Sequence, residues 1–246
     1  MNAPFLTQFD TINGSLGVHR WINDHPIVVA LAGVDGSGLG WEAIATEAAV
    51  PVTALDLRGR GAASVAGPFG VAAHAVDVAE YLRSLPAPVV LAGHSFGGHV
   101  ACRVAADHPE LVQHLVLVDG GPARLIPEGM TAAGLAHLAL GNIIPNLASK
   151  PFPVSEEAVR TDFLSMVADA ASTEALAAVR IPVSLIRAEH GMAEGMPPVI
   201  TDAVIDNLHS SGVDLTVSSF AGATHFSLLF NPTHSALVAR HLADCV

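Results

Sequence analysis

The sequence predicts an α/β fold: one mostly parallel central sheet flanked by helices. Three observations carry this reading. Short apolar runs alternate with helical patterns along most of the 246 residues, which is how a parallel sheet is written. One apolar, β-branched run, Val89–Gly93, breaks through Gly93-His94-Ser95-Phe96-Gly97 directly into a small-residue apolar helix. Finally, 51% of residues are apolar and only 14% charged, enough material for a large core in a single domain of this length.

Taken in order, the expected strands begin with Leu16–Trp21 and the apolar run Ile27–Ala32, followed by a helix over Gly40–Ala48. Pro51–Leu57 returns to extended character, and Ala72–Ser84 to helical. Pro88–Gly93 and the helix Phe96–Ala106 flank the serine turn, and Val112–Asp119 is the next strand. From Gly121 to Ile181 the alternation stops. This stretch is helical in character, rich in Leu, Ile, Met and Phe, and broken at Pro122, Pro127, Pro145, Pro151 and Pro153. It reads as a small inserted helical cap, which makes residues 1–120 and 182–246 the core and residues 121–181 the cap. Alternation resumes with the strand Pro182–Arg187, the helix Val199–His209, the strand Val213–Ser219 and the helix Thr233–Ala243. No internal repeat or low-complexity linker interrupts the chain.

The serine turn has the geometry of a nucleophile elbow. A serine pinned between a strand and a helix occupies strained backbone, with Gly93 and Gly97 leaving room for the crossing chain. The strain exposes Oγ, and the helix's first turn offers the Phe96 N–H to a developing oxyanion.

Charge and cysteine content bound the partners. A net charge of −12, with Lys150 the only lysine, excludes nucleic acid and anionic membrane as expected partners. Cys102 and Cys245 form no disulfide framework, and Cys102 reads as a small core residue. The first residues have neither a basic nor a long apolar region, and no apolar run reaches the roughly 18 residues of a membrane span. A cytoplasmic monomer or homodimer is the expectation. No histidine or cysteine pair has H-E-x-x-H or C-x-x-C spacing, so no metal is expected. Gly36-Ser37-Gly38-Leu39-Gly40 follows a strand but lacks G-x-G-x-x-G spacing, and Tyr81, the only tyrosine, is followed four residues on by Leu85 rather than lysine. No dinucleotide cofactor is expected.

Three further motifs join the elbow in order: Leu31-Ala32-Gly33-Val34-Asp35-Gly36-Ser37, Asp56-Leu57-Arg58-Gly59-Arg60-Gly61, and Gly222-Ala223-Thr224-His225-Phe226 followed by Asn231-Pro232. With them, nearly the whole chain resembles a cap-bearing α/β-hydrolase. The resemblance implies an oxyanion loop after the family's third strand, a D-x-R-G-x-G turn after its fourth and a histidine loop after its last. It makes Ser95 the nucleophile and His225, just after the last strand, the general base. The oxyanion hole would be built from the backbone N–H groups of Val34 and Phe96.

Two departures stand out. The oxyanion loop reads Ala32-Gly33 where the family usually has His-Gly, and Asp35 beside it reads as a turn residue pointing to solvent. In addition, Gly191 of Arg187-Ala188-Glu189-His190-Gly191 occupies the position of the family's usual aspartate. Two replacements are available. Asp119 ends the strand that should neighbour the Ser95 strand, a position where some family members keep their acid. Glu189 lies two residues before the vacancy and is otherwise an ion-pair or hydrogen-bond partner inside its loop, for example of Arg187. Asp119 is the first choice and Glu189 the alternative. Asp56 and Arg58 read as structural, Asp77 as solvated or helix-supporting, His94 as the elbow's variable residue, and His99, His108, His137, His209, His234 and His241 as surface or half-buried.

A serine at the elbow disfavours the dehalogenase and epoxide-hydrolase branches. Lys150 has no evident route to Ser95, which disfavours a hydroxynitrile lyase. The expectation is a cofactor-independent serine hydrolase cleaving a small to medium apolar carboxylic ester or lactone, its cap lined by side chains such as Leu125, Ile126, Met130, Leu138 and Phe163. Sparse basic residues there disfavour an acyl-CoA donor. Two alternatives stay open: a hydrolase-fold ligand receptor or near-inactive binding module, and a carbon–carbon bond hydrolase on the same triad.

Overall fold

In a computed structural model, residues 4–22, 25–121, 131–168 and 176–246 are described. The sheet contains β1 (Phe5–Thr11), β2 (Gly14–Arg20), β3 (Val28–Leu31), β4 (Val52–Asp56), β5 (Val89–His94), β6 (Val112–Val118), β7 (Val183–Ala188) and β8 (Leu215–Phe220). They lie in the order β1-β2-β4-β3-β5-β6-β7-β8. β2 pairs antiparallel with β1 and with β4, and every other pairing is parallel. The α/β class expected from alternation is what the chain adopts. The order of connection reverses between β3 and β5, and the crevice outside the C-terminal ends of those strands is where a doubly wound sheet places its ligand.

The period-2 alternation of each strand divides the core into two layers. Val29, Leu31, Leu91 and Leu117 share one layer with Val78 and Leu82 of α2 (Val71–Arg83) and Val100 and Val104 of α3 (Phe96–Asp107). Val28, Ala30, Val90 and Val116 share the other with Ile44 of α1 (Glu42–Glu47). Both faces of the central strands are therefore dry, which explains their unbroken apolar sequences. Cys102 is fully buried, as expected of a small core residue.

β1 is an addition to the expected strands. Five of its seven residues face solvent, with Phe5 62% and Leu6 53% exposed. An edge strand that pairs on one side and half-buries only Phe9 among its apolar residues, against Tyr81, carries too little hydrophobic alternation to read.

Between β6 and β7, the described segment contains α4 (Ala132–Ile143), a 3-10 turn (Ile144–Ser149) and α5 (Glu156–Ala168). Leu140, Leu147, Phe163 and Met166 are buried in the main core cluster, while Leu138 and Leu164 face solvent. Leu125, Ile126 and Met130 lie outside the described residues. The segment leading into α5 is tied to the 59–61 turn by Gly61 N–H donating to Pro153 O (2.9 Å) and Ser155 N–H donating to Gly59 O (2.7 Å). After β7 come α6 (Asp202–Ser210), a short α7 (Ser227–Phe230) and α8 (Pro232–Asp244), the last capped by the Asn231 side chain, which accepts from the Thr233 N–H. Among the described residues no helix is long and apolar enough to cross a membrane.

Candidate active site

Ser95 sits at the junction of β5 and α3 with φ 53° and ψ −120°. Only Ser95 and Asp119 combine a side chain with positive φ among the described residues (53° and 44°). Such strain costs about 1–3 kcal/mol per residue and persists where packing over-determines it. The packing here is backbone against backbone. A Cβ on Gly93 would lie 2.3 Å from Gly97 O, and one on Gly97 would lie 2.4 Å from Leu31 O. The elbow's glycines are therefore required by close approach. A Cβ on Gly33 would lie 3.5 Å from Ser95 Cβ, so the loop after β3 runs directly beside the serine.

Register explains how the second strained residue comes to the same place. β5 and β6 pair in parallel with Gly93 opposite Leu117 and His94 opposite Val118. One step further along each strand, Ser95 and Asp119 leave the sheet side by side. The Asp119 N–H donates to Ile186 O (2.8 Å), which holds its backbone against β7. Its fully buried carboxylate accepts from Ala188 N–H through Oδ1 (3.2 Å) and from His225 Nδ1–H through Oδ2 (2.8 Å). With Nδ1 committed as donor, Nε2 is the ring nitrogen of His225 free to take a proton.

The two candidate acids thus stand in different environments. Glu189 is exposed, and its Oε2 accepts from the Gly222 N–H (2.7 Å) at the base of the histidine loop. It does not pair with Arg187, which binds Asp202 instead. The position of the family's usual aspartate is closed, because a Cβ on Gly191 would lie 2.4 Å from Pro197 O. The Gly191 carbonyl instead accepts the His225 N–H (2.9 Å), so the residue that lacks a side chain still positions the histidine through its backbone.

His94 does more than fill the elbow's variable position. It is buried, its Nε2–H donates to the His225 carbonyl (3.0 Å), and the two rings lie 4.5 Å apart. Burial, and secondarily the charge of His225, pushes the His94 pKa well below the usual 6.5 and keeps it neutral. Burial also lowers His74, with the neighbouring Asp162 partly opposing it. The unfolded chain therefore binds protons before the native one, so stability present above pH 6.5 is lost as pH falls through that value. The expected result is a melting temperature that drops between pH 7 and about 5, with His94→Gln, which keeps a donor for His225 O, flattening the profile. An unchanged slope in that variant would remove His94 as the source.

Several surrounding residues differ from their expected roles. Asp35 does not point freely to solvent: it pairs with Lys150 at 2.6 Å, both side chains about three-quarters covered. The lone lysine therefore reaches the loop beside Ser95, although the sequence offered it no route there. Of the two roles open to Asp77 the solvated one does not hold, since it is fully buried against Arg58 Nε (2.5 Å), and His99 is buried rather than on the surface or half-buried. In each case a long-range partner or a packed helix decides, and local sequence holds neither. Asp56 is structural as expected, its Oδ1 accepting from Ser37 Oγ–H and Gly38 N–H (both 2.7 Å). That anchoring uses the glycine-rich segment Gly36–Gly40, which lacks the spacing of a dinucleotide site. Among the described residues, no cluster of His, Cys, Asp or Glu is disposed to hold a metal ion.

The comparisons with known proteins agree with this architecture. The chain is 35% identical over 114 residues to lipase LipV of Mycobacterium tuberculosis, covering 43% of this chain and 44% of that protein. It is 40% identical over 94 residues to a pimeloyl–acyl-carrier-protein methyl ester esterase of Neisseria meningitidis, covering 38% and 35%. These matches span less than half the length of either relative. A thermophilic esterase from Thermogutta terrifontis superposes with a TM-score of 0.74 at 19% identity, covering 96% of this chain and 97% of that one, a likeness of fold. A profile of the alpha/beta hydrolase family matches residues 28–240, so the chain belongs to that family.

Proposed function

We propose that the chain is a cofactor-independent serine hydrolase that cleaves a small to medium apolar carboxylic ester or lactone through an acyl-enzyme on Ser95. The observation that carries the reading is the buried 2.8 Å hydrogen bond from His225 Nδ1–H to Asp119, formed beside the strained Ser95. In this mechanism His225 Nε2 takes the Ser95 proton as Oγ attacks the acyl carbon. The Val34 and Phe96 N–H groups receive the oxyanion, and Asp119 holds the histidine tautomer and balances the imidazolium. Collapse expels the alcohol with the proton from His225. Water, deprotonated by the same histidine, then releases the acid.

An ester substrate is supported by the named activities of the lipase and the methyl ester esterase among the relatives. The segment between β6 and β7 serves as a cap and carries an open cleft of about 610 Å³, lined by Ile144, Leu147, Lys150, Phe152, Val154 and Glu156 rather than by the triad residues, and the acyl chain is assigned to it because Lys150 pairs with Asp35 of the loop beside Ser95. That volume is within the usual range for a small-molecule site, about 300–1,000 Å³. The Lys150–Asp35 pair connects the cleft to the loop beside Ser95. With Lys150 paired to Asp35 and Glu156 also in the lining, the cleft suits uncharged acyl groups rather than anionic donors.

Two measurements test this. A fluorophosphonate probe is expected to label Ser95 rapidly in the folded protein; failure to label would leave the ligand-receptor reading in its place. Across p-nitrophenyl esters from acetyl to hexanoyl, kcat/KM is expected to rise, each buried methylene contributing about 0.8 kcal/mol until the cleft is full. Flat activity along the series, or preference for an acyl-CoA, would remove the apolar acyl site.

A further inference from the structure

Arg60 occupies the variable position of the Asp56–Gly61 turn, and its surroundings give it a place in the chemistry that the turn motif does not assign. Its side chain is 1% exposed, and its guanidinium reaches three ways. Nη2 donates to the Val34 carbonyl (2.8 Å) and to Asp162 Oδ2 of α5 (2.5 Å), and Nη1 donates to Arg58 O (3.0 Å). Its Cζ lies 5.9 Å from the centre of the Phe96 ring. Asp162, fully buried, also accepts from Gly70 N–H (2.6 Å) and His74 Nε2–H (2.9 Å), and the His74 ring packs edge-on against Phe96 at 5.7 Å. One buried network therefore touches both residues whose N–H groups would form the oxyanion hole.

Resting on the hydrolase reading above, we propose that Arg60 is a positioning residue for the oxyanion hole and that it couples the hole to α5 through Asp162. A buried ion pair contributes little net stability once desolvation is counted, so what this one supplies is location. An oxyanion donor works only when it stands within a few tenths of an ångström of its place beforehand. Val34 lies in a loop, in neither helix nor strand, and the charge-assisted bond to its carbonyl pins the loop where a neutral partner would hold it more weakly. A planar fork is needed to grip a carbonyl and a carboxylate together, which an ammonium group does poorly. The Lys150–Asp35 pair one residue further on is a second tie between the same loop and the segment preceding α5.

The test compares wild type with Arg60→Met, Arg60→Lys and Asp162→Asn. Three quantities are read: kcat and KM on a p-nitrophenyl ester, inhibition by a trifluoromethyl ketone, and amide hydrogen exchange in peptides covering residues 33–37. The expected result for Arg60→Met is a kcat loss of about tenfold to a hundredfold with KM within about twofold. Ketone affinity should weaken in parallel, since the hemiketal oxygen sits in the hole, and exchange in 33–37 should quicken. Arg60→Lys keeps a cation opposite Asp162 and so preserves the fold if Arg60→Met does not. It should show the same pattern to a smaller degree, and Asp162→Asn should move in the same direction. Folded Arg60 variants with wild-type kcat, ketone affinity and exchange would overturn the proposal. So would a loss confined to KM or to melting temperature. If wild type itself turns over no ester, the hydrolase reading fails, and exchange in 33–37 still decides whether Arg60 holds the loop.

Discussion

Ser95→Ala is expected to abolish ester hydrolysis and fluorophosphonate labelling while changing stability by less than about 1 kcal/mol. Loss of Oγ removes the nucleophile, but a half-buried hydroxyl at the mouth of the crevice contributes little packing. A sharper form of the same prediction uses the strain. Ser95 holds φ 53° and ψ −120°, a conformation that glycine adopts without a Cβ penalty. Ser95→Gly should therefore be inactive yet more stable than wild type by about 1 kcal/mol, because it releases strain kept for exposure of the nucleophile. His225→Ala should be nearly as inactive as Ser95→Ala, since the hydroxyl is a weak nucleophile without its base. Initial-rate assays with thermal melts of all three variants check this. Retained turnover in a folded Ser95→Ala protein would assign the chemistry elsewhere.

The second large effect concerns the acid. Asp119→Asn should lower kcat by about two to four orders of magnitude, because the amide cannot hold the His225 tautomer or balance the imidazolium. Glu189→Gln should cost less than about tenfold, since an amide oxygen still accepts from Gly222 and the residue faces solvent. The reverse ranking would move the role to Glu189. Restoring an aspartate at 191 should not rescue Asp119→Asn. A side chain there meets Pro197 O at 2.4 Å, so Gly191→Asp is expected to destabilise the protein without recovering activity. Rescue would mean that the histidine loop can move to a second acid position.

These expectations draw on two levels of information. The sequence by itself determined the alternating architecture, the elbow and the order of its four motifs. Each is written in local features: apolar runs of strand length, glycines flanking Ser95, and a histidine just past the last strand. It also offered two candidates for the acid of the proposed triad, Asp119 and Glu189, carboxylates at the ends of neighbouring strands. What it left open depends on partners distant in the chain. The choice between those carboxylates turns on the β5–β6 register and the path of the 222–225 loop, which bring Asp119 to His225 across 106 residues. The Asp35–Lys150 and Arg60–Asp162 pairs, whose partners are 115 and 102 residues apart in the numbering, were silent for the same reason. An ion pair requires no particular spacing, so nothing local announces it. β1 is illegible for the opposite reason: an exposed edge strand is specified largely by the backbone of its neighbour, and of its apolar side chains only Phe9 packs against the core. Burial and periodicity are local and legible. Which charged group meets which is settled only once the sheet has assembled and low-dielectric packing brings each buried charge to the partners that satisfy it.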